Sequence, residues 1–277
     1  MTVKIKTDLL VIGAGAGGLS VAAGAAQLGI KVVLLEGDKM GGDCLNYGCV
    51  PSKALIAFSN QRKPKQFNNA MGFVRDAINE IEPHDSEERF RSLGVNVIRE
   101  YGQFVNETTV AAGAYEIQSR RIVIATGVHT PVPDISGLSD VQYYTNQTIF
   151  DLTKKPEHLL VLGGGPVGVE LAQAFARLGV NVTIFEKRKL LSNFSREQVE
   201  ILRGGLLEDG VSLKEDACVN KISEVDGKLV VQLNNDDKIT GSHLLVATGK
   251  KPNLQNLNLQ AAGICYSDIG IQTDQYL

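Results

Sequence analysis

Cys44 and Cys49 lie in the segment GGDCLNYGCVPSK (residues 41–53), with four residues between them. That separation is close to one helical turn plus one residue, so a modest backbone distortion brings the two sulfurs within bonding distance. A disulfide closing so short a loop adds little stability, and the pair suits thiol–disulfide exchange better than stapling. The competing use is a zinc site, which needs two further ligands, and neither Cys218 nor Cys265 has a clustered partner. A working thiol of this kind needs a lowered pKa, which a helix start or a nearby lysine can supply.

The second set of chemistry-bearing residues is a pair of glycine motifs. Gly13, Gly15 and Gly18 form G-x-G-x-x-G after an apolar run, with Glu36 23 positions beyond Gly13; Gly163, Gly165, Gly168 and Glu186 repeat the spacing. In such a motif the first glycine makes the tight turn. The second admits backbone to a pyrophosphate, and the third lets helix and strand pack closely. The helix N-terminus then faces the phosphates. The terminal glutamate is placed to accept hydrogen bonds from a ribose hydroxyl pair, and its charge repels a 2′-phosphate. That favours NADH over NADPH at the second motif, although Lys187 and Arg188, which follow Glu186 directly, blur the preference.

These residues need strands and helices to position them. Residues 9–40 align without gaps onto 159–190 at an offset of 150, and thirteen of the 32 aligned positions are identical. Each copy reads as a strand, a glycine turn, a helix of small and apolar residues and a second β-rich run, which is a βαβ unit. Between the copies we expect a capping box from Asp85 to Glu88, a helix stop at Gly94 and a meander of short strands over 95–125. Residues 130–156 carry three prolines among many polar residues and read as a linker. The expected architecture is α/β: two Rossmann-like, three-layer dinucleotide-binding domains with a β-meander, residues 1–149 forming the first and 150–277 the second.

The bulk properties agree with a folded two-domain protein. A content of 43% hydrophobic and 21% charged residues in 277 belongs to neither a disordered nor a fibrous chain. A net charge of −3, without a basic block, gives nucleic-acid binding no electrostatic support. Four cysteines are too few for a secreted disulfide framework, so a reducing, cytoplasmic setting is expected. The start resembles a signal peptide, but five glycines between Gly13 and Gly24 break its apolar stretch and its near copy lies in mid-chain. No run of about 18 apolar residues marks a membrane span. His84, His129, His158 and His243 lie in unrelated contexts and are expected to be solvated or capping. Phe58, Phe67 and Phe73 are expected in a helical core or interface.

With the first glycine motif, GGDCLNYGCVPSK, Ala125-Thr126-Gly127, GGGPVGVE and a second ATG ending at Gly249, the chain resembles the pyridine nucleotide-disulfide oxidoreductases. That family includes dihydrolipoamide dehydrogenase, glutathione reductase and mercuric reductase. The resemblance implies FAD at the first motif and NAD(P)H at the second. Hydride then passes to the flavin and on to the cysteines. Cys49 would lie against the flavin as the charge-transfer thiolate, and Cys44 would be the interchange thiol that attacks a disulfide, lipoyl or metal-ion substrate. Lys53 resembles the lysine near flavin N5, with Glu170 as its partner. Gly42, Asp43, Gly102 and Thr126 fall where the family surrounds the FAD phosphates, adenine or ribityl chain; Ala125, Gly127 and Gly249 complete the expected cofactor set. Asp43 replaces a threonine usual in the family, and an acid near a diphosphate is costly unless it faces elsewhere. Pro166 occupies the place of a nicotinamide-gating tyrosine, which tilts the likeness towards a mercuric-reductase-like or an uncharacterised branch.

The family chain is longer. It returns to the FAD domain through a Gly-Asp segment and adds a dimerisation domain with a His-Glu pair, so the resemblance implies a homodimer for the full-length form. Residues 1–277 read as a fragment, or as a degenerate relative that binds nucleotides without turnover, with weak FAD retention and negligible disulfide reduction.

Overall fold

The computed structural model describes residues 2–61 and 66–276. The chain divides into two compact units: one holds residues up to Cys49, Ile78–His129 and those from Lys250 on, the other Val50–Ala77 and Thr130–Gly249. The boundaries differ from a single cut at 149/150. The reason is local, since β7 (Val128–His129) pairs antiparallel with Lys251–Pro252 and anchors the later segment to the first unit.

The first unit is built on β1 (Val3–Ile12), β2 (Val32–Leu35), β3 (Asn96–Ile98), β4 (Gln103–Asn106), β5 (Thr109–Ala112) and β6 (Tyr115–Ile124), in the order β3-β2-β1-β6-β5-β4. The first four in that order run parallel; β5 and β4 are antiparallel additions. The meander therefore begins later than expected. β3 is a parallel neighbour of β2, and β6 extends along β1 for most of its length. Strand β2, VVLL, is buried at every position, as a sheet covered on both faces requires. Leu10, Ile12, Val33 and Leu35 point to one face, with Phe104, Ile117 and Leu254. Val11, Val32 and Leu34 point to the other, against Leu19, Ala22 and Ala25 of α1 (Ala16–Gln27), whose small residues let it lie close. Helices α2 (Gly42–Asn46) and α3 (Cys49–Ser59) follow β2. Helix α4 (Phe67–Asp85) precedes α5 (Glu87–Ser92).

The cap of α5 falls one residue later than expected. Ser86 is extended, and its hydroxyl accepts the Arg89 N–H at 3.2 Å, while Asp85 still belongs to α4. Gly94, at φ 87°, ends α5 as expected.

The second unit carries a parallel sheet, β10-β9-β8-β14, formed by β8 (His158–Leu162), β9 (Asn181–Phe185), β10 (Val211–Lys214) and β14 (His243–Val246). An antiparallel sheet of β11 (Val219–Val225), β12 (Lys228–Leu233) and β13 (Lys238–Gly241) packs on it through Ile222, Leu229 and Val231. Helix α6 (Pro166–Arg177) buries Val169, Leu171, Ala172 and Phe175, and α7 (Arg196–Glu208) follows β9. Residues 130–156 are not a free linker. Leu138, Ile149 and Phe150 are buried, and Tyr144 exchanges backbone hydrogen bonds with Leu244 and Val246. The prolines and polar residues hide apolar anchors at irregular spacing.

Phe67 packs on Phe175 at 6.1 Å between ring centroids, and Phe58 on Phe73 at 5.7 Å. His84 is exposed, and the other three histidines are held: His129 by Asn253, His158 by Thr183 and His243 by Ser242. Among the described residues no helix is long and apolar enough to cross a membrane.

Candidate functional site

The two glycine turns are built alike. Gly13 has φ 105° and Gly163 φ 108°, both in the region that L side chains avoid. A Cβ on either would strike a carbonyl of the following ATG segment, Ala125 O at 2.3 Å or Ala247 O at 2.4 Å. A Cβ on Gly18 or Gly168 would lie 1.8 or 2.0 Å from the carbonyl of Gly13 or Gly163. These glycines are required by packing. Gly165 differs, since a Cβ there meets nothing within 4 Å, and at Gly15 only the Gly42 Cα at 3.9 Å. That open space is what a closely approaching ligand needs. Helices α1 and α6 both begin without a side-chain cap, leaving their first N–H groups for an anion. Turn, space and uncapped dipole together fit a diphosphate in each unit.

Glu36 and Glu186 end β2 and β9. One Glu36 oxygen accepts the Ala14 N–H at 2.6 Å and the other the Asp38 N–H at 2.7 Å. Glu186 repeats this with Gly164 at 2.7 Å and Arg188 at 3.0 Å. Each carboxylate is thereby fixed at the lip of its turn, with acceptor capacity left for a diol.

The cysteine segment is attached to the first turn. The Gly41 N–H donates to Ala14 O at 2.9 Å, and a Cβ on Gly42 would lie 2.7 Å from the Gly15 Cα. Gly41 and Gly42 have φ of 82° and 56°, so paired glycines are needed both for conformation and for proximity. The helical path breaks after Asn46, with Tyr47 at φ −140°, and restarts at Cys49. The break supplies the distortion that the spacing requires. Both thiols are free, Cys44 half-buried and Cys49 exposed. Burial first, then the Cys49 thiol and its charge, push the Cys44 thiol up to about 11. The expectation of a lowered pKa is thus reversed for Cys44. The Cys49 backbone N–H acts in the lowering direction but is outweighed, and Cys44 holds its proton at neutral pH.

Asp43 finds the partner its charge needs. Lys250 Nζ lies 3.5 Å from Asp43 Oδ2, which also crowds Gly48. Thr126 donates its hydroxyl to Asn253 O at 2.9 Å, and the Asn253 amide and backbone N–H return to Thr126 O and Gly127 O. Gly127 and Gly249 have φ of 68° and 126°, so each ATG segment turns sharply after its strand. Gly102 lies against core side chains, where a Cβ would meet Leu35 at 2.8 Å and Val110 at 3.1 Å. Lys250 and Asn253 were not singled out in the sequence. Their signal was their place directly behind the second ATG.

In the second unit, Lys53 donates to both oxygens of Glu170, at 2.9 and 2.8 Å. Ser52, buried and also missed in the sequence, donates to Glu170 at 3.4 Å and accepts from Lys53 at 3.3 Å. Lys53 stands one turn after Cys49 along α3, and Glu170 stands in the first turns of α6, just behind Pro166 at its first position. Among the described residues no group of three or more His, Cys, Asp or Glu side chains is placed to hold a metal ion.

Residues 7–277 match the family model described as pyridine nucleotide-disulphide oxidoreductase. A mercuric reductase of Bacillus cereus is 35% identical, over 98% of this chain and 46% of its own. A dihydrolipoyl dehydrogenase of Staphylococcus aureus is 30% identical over 96% of this chain and 62% of its own. The HOCl-induced flavoprotein disulfide reductase RclA from Escherichia coli, solved as a Cu(II) complex, superposes with a TM-score of 0.90 at 29% identity. It is covered over 62% of its length, against 97% of this chain. The chain thus spans about half to two thirds of these relatives. With paired cysteines fixed to one glycine turn and a duplicate turn beyond, the chain belongs to the pyridine nucleotide-disulphide oxidoreductases.

Proposed function

We propose that the chain is the nucleotide-binding and thiol-bearing part of an FAD-dependent NAD(P)H:disulfide oxidoreductase, with FAD in the first unit and the nicotinamide coenzyme in the second. The observation that carries this reading is the attachment of the Cys44–Cys49 segment to the first glycine turn through Gly41 and Gly42. When bound, the flavin supplies the two-electron relay between nicotinamide and disulfide. The residues of the chain do the rest. The N–H groups opening α1 hold the diphosphate, and Glu36 accepts from the adenosine ribose. Thr126, fastened by Asn253, fixes the wall behind the turn. Lys53, oriented by Glu170 and Ser52, carries the positive charge that the family pattern assigns to the flavin. Cys44 retains its proton in the dithiol, and by the family pattern Cys49 is the sulfur that lies against the flavin.

Electrons pass to the substrate through Cys44. The substrate is a disulfide, a lipoyl group or a thiophilic metal ion, Pro166 favouring the mercuric reductase branch, and the working protein is a homodimer. We infer NADH as the preferred coenzyme, because Glu186 stands as Glu36 does at a site without a 2′-phosphate. A reducing, cytoplasmic setting suits an exchange dithiol. Counting alkylatable thiols in the FAD-loaded protein tests the reading. NADH should expose two thiols, mapped to Cys44 and Cys49, that air oxidation conceals. If both cysteines are alkylated equally before and after NADH, the chain is a nucleotide-binding module without turnover.

A further inference from the structure

The loop that follows Glu186 is held more firmly than its exposure requires. The Leu190 N–H donates to Glu215 Oε1 at 2.7 Å and the Leu191 N–H to Gly164 O at 3.0 Å. From the facing strand end, Asp216 donates to Arg188 O at 3.2 Å and Ala217 to Glu186 O at 3.0 Å. Leu191 and Asp216 have φ of 48° and 51°, conformations a side-chain-bearing residue adopts only when its surroundings enforce them. Lys189 pairs with Asp216 outside this frame.

At its centre is Glu215, the residue immediately after β10. Its side chain is 14% exposed, and that of Arg203 on α7 is 21% exposed. Arg203 bonds both Glu215 oxygens, Nη2 at 2.8 Å from Oε1, and its Nε lies 3.2 Å from Glu200. A bidentate guanidinium–carboxylate pair fixes orientation as well as charge. With Glu215 so held, Glu186 keeps its oxygens on Gly164 and Arg188, and the chain at Lys187 and Arg188 has one course.

The first unit has the same device with the charges exchanged. Glu36 N–H bonds Ile98 O as Glu186 N–H bonds Lys214 O, so Arg99 stands where Glu215 stands. Arg99 donates to Asp38 O in the corresponding loop and pairs with Glu87 on α5. Opposite polarity at matched positions is a difference at the two adenosine ends.

We propose that Glu215, oriented by Arg203, is a positioning residue that fixes the course of residues 187–191 and thereby sets the choice between NADH and NADPH. This rests on the reading of the second unit as the coenzyme site. Removing Glu215 frees the Leu190 N–H and leaves Arg203 without its main counter-charge at the loop that would meet a 2′-phosphate. Removing Arg203 does the opposite, leaving an uncompensated carboxylate there.

The test measures NADH and NADPH dissociation constants by calorimetry on the wild-type protein and on Glu215→Ala, Glu215→Gln and Arg203→Met. Glu215→Ala should raise the NADPH-to-NADH affinity ratio about fivefold, the scale of one partly exposed charge pair. Glu215→Gln keeps an acceptor for Leu190 but not the counter-charge of Arg203, so its ratio should fall between wild type and Glu215→Ala, whereas Arg203→Met should lower it. Should Glu215→Ala fail to fold, the opposite arm in Arg203→Met decides. A ratio unchanged in Glu215→Ala and Arg203→Met, with both coenzymes weakened alike, overturns the proposal and leaves a structural pair. Wild-type protein that binds neither coenzyme overturns the coenzyme site and this inference with it.

Discussion

The two glycine turns share a backbone and differ in what surrounds them. Gly13, Gly18, Gly163 and Gly168 meet the same obstacles in both units, and the two glutamates accept from equivalent N–H groups. The first turn, however, is closed on one side by Gly41 and Gly42, which bring the cysteines to it, while the space at Gly165 stays open. The duplicated frame repeats the turn in each unit, and the segment that follows it is what differs.

The sharpest way to break that comparison is at the third glycine. Gly18→Ala and Gly168→Ala should each cost about 3 kcal/mol or more, read as a fall in melting temperature, because the added methyl meets a carbonyl that cannot move. Gly165→Ala should leave the melt within about 0.5 kcal/mol while weakening coenzyme binding measured by calorimetry. If it melts as Gly168→Ala does, the distinction between packing glycine and approach glycine is wrong.

Smaller effects sharpen the contrast. Lys53→Met should slow flavin reduction by NADH about tenfold in stopped flow, with stability moved by less than about 1 kcal/mol, since the pair it breaks is substantially exposed. In the reduced protein, alkylation of Cys44 should rise with pH until about 11, because its thiolate is suppressed below that value. Stability follows the same sign: the contribution of this raised group is complete below its ordinary value of 9.0 and is lost as pH climbs to about 11. Cys49→Ala removes two of the causes and should shift the alkylation profile to lower pH. The smallest effect is expected for Lys250→Met, which removes the ammonium paired with Asp43. FAD affinity should fall by about 1 kcal/mol or less, and more at low salt than at high.

Much of this was legible because its signals are local. The motif glycines, the paired cysteines and the acids ending β2 and β9 each constrain backbone within a few residues, and the offset of 150 made one reading check the other. The Lys53–Glu170 contact was reached through the family pattern, since 117 residues separate the two. What escaped depends on distant partners. Tyr144 is ordered by β14, Gly102 is held small by Leu35, and the Glu215–Arg203 pair joins a strand end to a helix that sequence spacing does not connect. The Cys44 thiol illustrates the same limit: adjacency to a helix start promised a lower pKa, and burial, invisible in the sequence, reversed it.

The short ladder between Val128–His129 and Lys251–Pro252 has a consequence for ancestry and engineering. It holds the point where the polypeptide departs towards the second glycine motif beside the point where it comes back, as in an insertion whose ends nearly coincide. An exchange of residues 130–249 for a related segment must therefore carry Val50–Ala77 with it, since Lys53 bonds Glu170 and Phe67 packs on Phe175.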